Sequence, residues 1–130
     1  MYLFIKRYSL LIISLFAVPL LSACLFEFGD TDSVKEASEL AINCQTEQAL
    51  IAVDRASQTG GLGGGIADLL RVAILRDIGR TDEADEAMAE RNERWQVDAD
   101  NAAEAEKSIA KTIAEIRAER QKRTGHLTCN

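Results

Sequence analysis

The chain has one proline, Pro19, one histidine, His126, and no run of β-branched residues. With no proline after position 19, nothing downstream removes a backbone donor or blocks a helix. The missing β-branched runs argue against strands. A lone histidine near the end, with no Gly-x-Ser-x-Gly nucleophile turn, leaves no paired acid, base and nucleophile, so the chain is not expected to be an enzyme. No CxxC pair is present to begin a zinc site. The longest apolar run, Leu10 to Leu21, is about a dozen residues, or roughly 18 Å as helix, against a hydrocarbon core of about 30 Å, so it is too short to span. Positive charge is also scarce: 15 Lys and Arg stand against 21 Asp and Glu, for a formal net charge of −6. That balance excludes the basic face of a nucleic-acid module.

What is present begins at the N-terminus. Lys6 and Arg7 precede the short apolar run, Pro19 sits near its end, and small residues follow, which is the pattern of a secretory signal. Leu21-Ser22-Ala23-Cys24 resembles the lipobox of bacterial lipoproteins. The resemblance implies diacylglycerol on the Cys24 thiol and cleavage between Ala23 and Cys24. Residues 1–23 would then be a signal peptide, 24–32 a lipid-proximal tether and 33–130 a single domain. Two or three acyl chains would hold the protein to membrane lipid, at about 0.8 kcal/mol per buried methylene. Leu25, where an aspartate would signal inner-membrane retention, implies the outer membrane, with the domain facing the periplasm. The mature chain of about 107 residues suffices for one small domain. Losing Lys6 and Arg7 makes it two charges more negative.

With Cys24 acylated, Cys44 and Cys129 remain, and an even pair in an exported chain is expected to form a disulfide. Two free thiols, or a small metal site adding His126 to Cys44 and Cys129, are the alternatives. The set is isolated and its compartment oxidising, so no metal or other cofactor is expected.

The remaining sequence favours helix formers, which predicts an all-α fold. Ser33-x-x-Glu36 has the form of a capping box opening a helix whose apolar face holds Val34, Ala37, Leu40, Ala41 and Cys44. A second helical stretch covers Gln48 to Ser57. The glycines of "TGGLGGG" each cost about 1 kcal/mol against alanine in a helix, so 59–65 is expected to be a connection. Ile66 stands where a phosphate-binding loop needs lysine, and no strand precedes the segment, so a phosphate cradle is not indicated. Ile66, Leu69, Leu70, Ala73, Ile74 and Ile78 recur at helical spacing up to Gly79, which suits a left-handed cap, and Thr81 is placed to cap the next helix. Helices joined by so short a turn form an αα-hairpin. "GRTDEA", Gly79 to Ala84, resembles the turn of a tetratricopeptide repeat, in which the alanine lets two helices approach closely. The expected fold is therefore a small TPR-like helical-hairpin domain with a long C-terminal helix.

From Asp82 to about Arg123 no residue stops a helix, and Asp98 to Asn101 is the expected place for a kink or break. Met88, Trp95, Ala102, Ile109 and Ile116 recur every seven residues, with Ile113 between, while Asn92, Glu106 and Arg120 interrupt the seam. Trp95, Ala102, Ile109, Ile113 and Ile116 are the candidate partner-binding face, although the one tryptophan of a helical stripe is often core. Arg117, Arg120, Lys122 and Arg123 read as cations complementing a helix C-terminus ahead of Gly125. The functional expectation is a membrane-anchored interaction or envelope-assembly module that binds another envelope protein through this face. A structural or exclusion-type lipoprotein that self-associates through the same seam is the alternative.

Overall fold

A computed structural model describes residues 31–129 of the chain. The expected signal peptide, Cys24 and the tether as far as Asp30 lie outside the described residues. Among the described residues five helices follow one another: α1 Thr31–Ile42, α2 Thr46–Gln58, α3 Gly61–Asp77, α4 Thr81–Arg94 and α5 Ala99–Thr124. The all-α expectation holds for them. None of these helices is long and apolar enough to cross a membrane.

Three turns use the same device. Arg80 N–H donates to Leu75 O at 2.9 Å while Gly79 N–H donates to Arg76 O at 3.1 Å, with Gly79 at φ +80°. These are the two bonds of a Schellman cap, which satisfies the last carbonyls of α3. The end of α1 repeats it with Cys44 at φ +60°, and the end of α4 with Gln96 at φ +50°. A chain of short helices is thus stopped by local backbone bonding, without proline.

Neighbours in sequence pack as antiparallel pairs, α1 on α2, α2 on α3 and α3 on α4, while α3 also packs on α1 and α5, and α5 on α1. Arg120 near the end of α5 bonds the last carbonyls of α1 and Asp77 at the end of α3. The helices α1, α3 and α5 therefore point the same way, and α2 and α4 run back between them. Their common C-terminal end is one pole of the bundle. The other pole gathers the starts of α1, α3 and α5 and the ends of α2 and α4.

Two clusters make one core along α3. Ala37, Ala41, Ala49, Val53, Ala67, Leu70, Ile74 and Ile116 join α1, α2, α3 and α5. Val72, Ala73, Leu75, Ala84, Met88, Ala105 and Ile109 join α3, α4 and α5. The alanines have little surface to bury, so the helices approach closely instead. Ala84 is fully buried where α4 meets α3, as the hairpin reading requires.

Several expectations are corrected. The glycine segment is not a free connection: α3 begins at Gly61 and carries Gly63, Gly64 and Gly65 in its first turns. The turn proper is Thr59–Gly60, with Gly60 at φ +70°. A β-carbon at Gly64 would stand 3.2 Å from Ser57 O, so the glycine lets the start of α3 lie close against the end of α2. Packing thereby overrides the propensity cost. Ser33 is not the residue that opens the helix, because α1 is already helical at Thr31 and Ser33 is buried within it. Thr81 is the first residue of α4, and its side chain makes no capping bond to the helix. The stretch from Asp82 to Arg123 is two helices, broken close to the expected place: α4 stops at Arg94, Asp98 caps α5 by accepting from Asn101 N–H at 2.8 Å, and the 26-residue α5 is the expected long C-terminal helix. The break falls a few residues earlier than the sequence suggests.

Candidate functional site

At the C-terminal pole, Cys44 and Cys129 are joined in a disulfide, with Cα atoms 5.5 Å apart. Both sulfurs are thereby used, which removes the thiolate ligands of the metal alternative. Among the described residues no group of three or more His, Cys, Asp and Glu side chains is placed to hold a metal ion. Beside the disulfide, Arg120 is 1% exposed. Its guanidinium donates to Ala41 O at 2.8 Å, Ile42 O at 3.2 Å, Leu127 O at 2.8 Å and Asp77 Oδ2 at 2.7 Å. One buried fork therefore caps α1, pairs with the end of α3 and holds the tail. Arg117 reaches the same carboxylate, with Nε 2.7 Å from Asp77 Oδ1.

The basic end of α5 is therefore an internal fitting and not a free cationic face. Arg123 bonds Glu39 and Glu119, and Lys122 lies 3.4 Å from Glu119. The Arg123 bond holds the Glu39 carboxyl below the usual carboxylate range, and bonds from Arg123 and Lys122 do the same to Glu119. On the flank, the Arg76 bond lowers Glu106, and the Arg80 bond lowers Glu83.

The five residues expected to face a partner are not one surface. Ile109, 1% exposed, and Ile116 are core residues, while Ala102 and Ile113 are half-buried. The seven-residue stripe was correctly read as apolar, but α3 and α1 cover it. Only Trp95 keeps a substantial open face, at 42% exposure.

Trp95 sits at the opposite pole from the disulfide, just past the end of α4, and its position is fixed by a polar cluster that the sequence reading missed. The buried carboxylate of Asp68 accepts from Trp95 Nε1 at 2.8 Å and from Ser57 Oγ at 2.6 Å. Arg94 Nη1 completes the cluster at 3.2 Å from both Asp68 oxygens. The indole N–H is thus satisfied from within, and the ring turns its apolar face outward. The signal in the sequence was an aspartate on the apolar stripe of α3, where an unpaired charge would be costly. Asp77, the other buried acid of α3, carries the same signal for the Arg120 cluster.

Two clefts of about 500 and 470 Å³ meet at Trp95 and share Leu69 and Arg91. The larger is almost wholly apolar. Gly61 and Gly65 form its floor, and Leu62, 60% exposed, Ile66 and Trp95 form its walls. The smaller, lined by Val97, Asn101, Glu104, Ala105 and Ser108, is mixed in character. Between them stands Arg91, the one arginine among the described residues without a carboxylate partner: Nη1 donates to Asn92 Oδ1 at 2.9 Å, and its buried Nε has no acceptor.

No protein-family model, curated protein or solved structure matches this chain. The chemistry of the Trp95 pole is accordingly read from its own geometry. An apolar groove with one clamped aromatic and one unpaired cation can hold a short apolar segment that carries a carboxylate.

Proposed function

We propose that this chain is a lipid-anchored helical docking module, held to the membrane through acylated Cys24, whose TPR-like bundle binds another envelope protein at the Trp95 pole. The observation that carries the reading is the exposed apolar groove of Leu62, Ile66 and Trp95, with the tryptophan clamped by Asp68. Exposed apolar residues gathered in a concave surface mark binding sites, and a tryptophan held in one orientation loses little entropy when a partner covers it. The lipobox resemblance supports the anchor, and the turn sequence "GRTDEA" with fully buried Ala84 supports the repeat-like hairpin. The role is one of binding, not of catalysis.

Self-association through the seven-residue seam is the weaker reading, because Ile109 and Ile116 are already enclosed. Two measurements test the proposal. Intact mass of the membrane-extracted protein should show acyl mass on an N-terminus at Cys24; an uncleaved chain defeats the anchor. A photo-reactive residue in place of Leu62 should give a discrete heterologous crosslink in intact cells that Trp95→Ala abolishes, while the same residue at Lys111 gives none. A crosslink only to a second copy, or equal labelling at both positions, defeats the docking role.

A further inference from the structure

The groove at the Trp95 pole lies at the end of the bundle where the described chain begins. Glu36 in α1 pairs with Arg55 in α2, and Ser57, two residues later, bonds Asp68 in the groove-forming part of α3. Thr31 therefore starts α1 at the groove's end, and the disulfide is at the far end. Immediately before Thr31 stands Leu25-Phe26-Glu27-Phe28-Gly29-Asp30, apolar side chains with two acids among them. Phe28 stands three residues before Thr31 and Phe26 five, a reach of about 10 and 17 Å from the start of α1, against a spacing of about 8–10 Å between packed helices such as α1 and α3. The groove opposite offers what this segment lacks: an apolar trough for the phenylalanines, and in Arg91 an arginine with no acid of its own.

We propose that the chain's own Leu25–Asp30 segment docks in this groove, with Phe26 and Phe28 against Leu62, Ile66 and Trp95, and Glu27 paired with Arg91. The inference rests on the groove being a docking site, and it names the occupant in the absence of a partner. A partner must then displace the segment, so occupancy of the groove is coupled to the stretch next to the anchor. With the segment docked, the domain is held close to the lipid.

Trp95 is the only tryptophan, so its emission reports the groove alone. The acylated protein is reconstituted in phosphatidylethanolamine vesicles, and acrylamide quenching of Trp95 is compared between the wild type and Phe26→Ser/Phe28→Ser. Quenching should rise about two-fold in the double variant. Arg91→Gln and Glu27→Gln should each give a smaller rise, with no further rise when combined. Far-UV circular dichroism should stay unchanged, since none of these residues belongs to the bundle core, and the unfolding midpoint of the double variant should fall slightly as the docked segment is lost. Equal quenching in wild type and double variant would overturn the proposal. So would quenching of Trp95 by brominated acyl chains, which would make lipid the occupant, or a quenching change that tracks protein density in the vesicle, which would make it a second copy. A normal partner crosslink at position 62 with no effect of the phenylalanines would refute self-docking and leave the docking role standing.

Discussion

Replacing Arg120 with methionine keeps most of the side-chain volume and deletes a guanidinium that is 1% exposed. Three consequences follow at the disulfide pole. Asp77 Oδ2 loses its 2.7 Å partner, the carbonyls of Ala41 and Ile42 lose donors at 2.8 and 3.2 Å, and Leu127 O loses one at 2.8 Å. Breaking a buried ion pair from one side costs about 3–5 kcal/mol, because the partner charge stays buried. Arg117 still faces Asp77 Oδ1 at 2.7 Å, which sets the expectation near the lower bound, at about 3 kcal/mol. With a urea m-value of about 1–1.5 kcal/mol/M, the midpoint should fall by about 2–3 M. Equilibrium urea unfolding of the oxidised domain, followed by far-UV circular dichroism, measures it directly. The double variant Arg120→Met/Asp77→Leu, with no buried charge left, should be more stable than Arg120→Met alone. A midpoint shift under about 0.5 M, or a double variant worse than the sum of the singles, would refute the assignment of this cluster as the fastening of three helix ends.

Reducing the Cys44–Cys129 bond frees a loop of sequence separation 85, for which chain entropy gives a ceiling of about 4–5 kcal/mol; urea midpoints with and without reductant check it, and no loss would mean that the bond is not formed. Gly65→Ala meets nothing within 4 Å and should stabilise by up to about 1 kcal/mol. Gly64→Ala, 3.2 Å from Ser57 O, should fall at least about 1 kcal/mol below it in the same melts, and equal effects would deny the close approach of α2 and α3. The carboxyls of Glu39, Glu83, Glu106 and Glu119 are lowered in the fold, so their contribution is complete above the ordinary carboxylate pKa of about 4.3 and is lost as pH falls through the lower folded values. Thermal midpoints should therefore be level from pH 7 to about 5 and decline below about 4.5, and a decline beginning near pH 6.5 would contradict this origin.

The parts of the fold written in local chemistry were legible: the all-helical class, the Gly79 turn, the buried Ala84 and the cysteine pair. What failed depended on which surface covers which. A seven-residue apolar stripe states that Ile109 and Ile116 are buried, but not whether a partner or the same chain buries them. Glycine propensity counts the cost of Gly63 to Gly65 in a helix, but not the close packing that Gly64 permits. Arg120 looked like a dipole cation because its partners on α1 and α3 lie 43 to 79 residues away. At the Trp95 pole the sequence left the tryptophan as either an anchor or a core residue, whereas Asp68 and Arg91 acquire meaning only when α3 and α4 are laid together.

The position of the disulfide has a mechanical consequence. A load applied between Thr31 and Cys129 passes along α1 to Cys44 and crosses directly to Cys129. The residues between the two sulfurs are shunted out of the line of force, so stretching can unravel α1 but cannot lengthen the rest. Reduction would release roughly 300 Å of contour, at about 3.5 Å per residue over the separation of 85. The bridge thus acts as an extension limiter: a pull between the two ends of the described chain stops short at Cys44, and the helices between the sulfurs stay out of that load path.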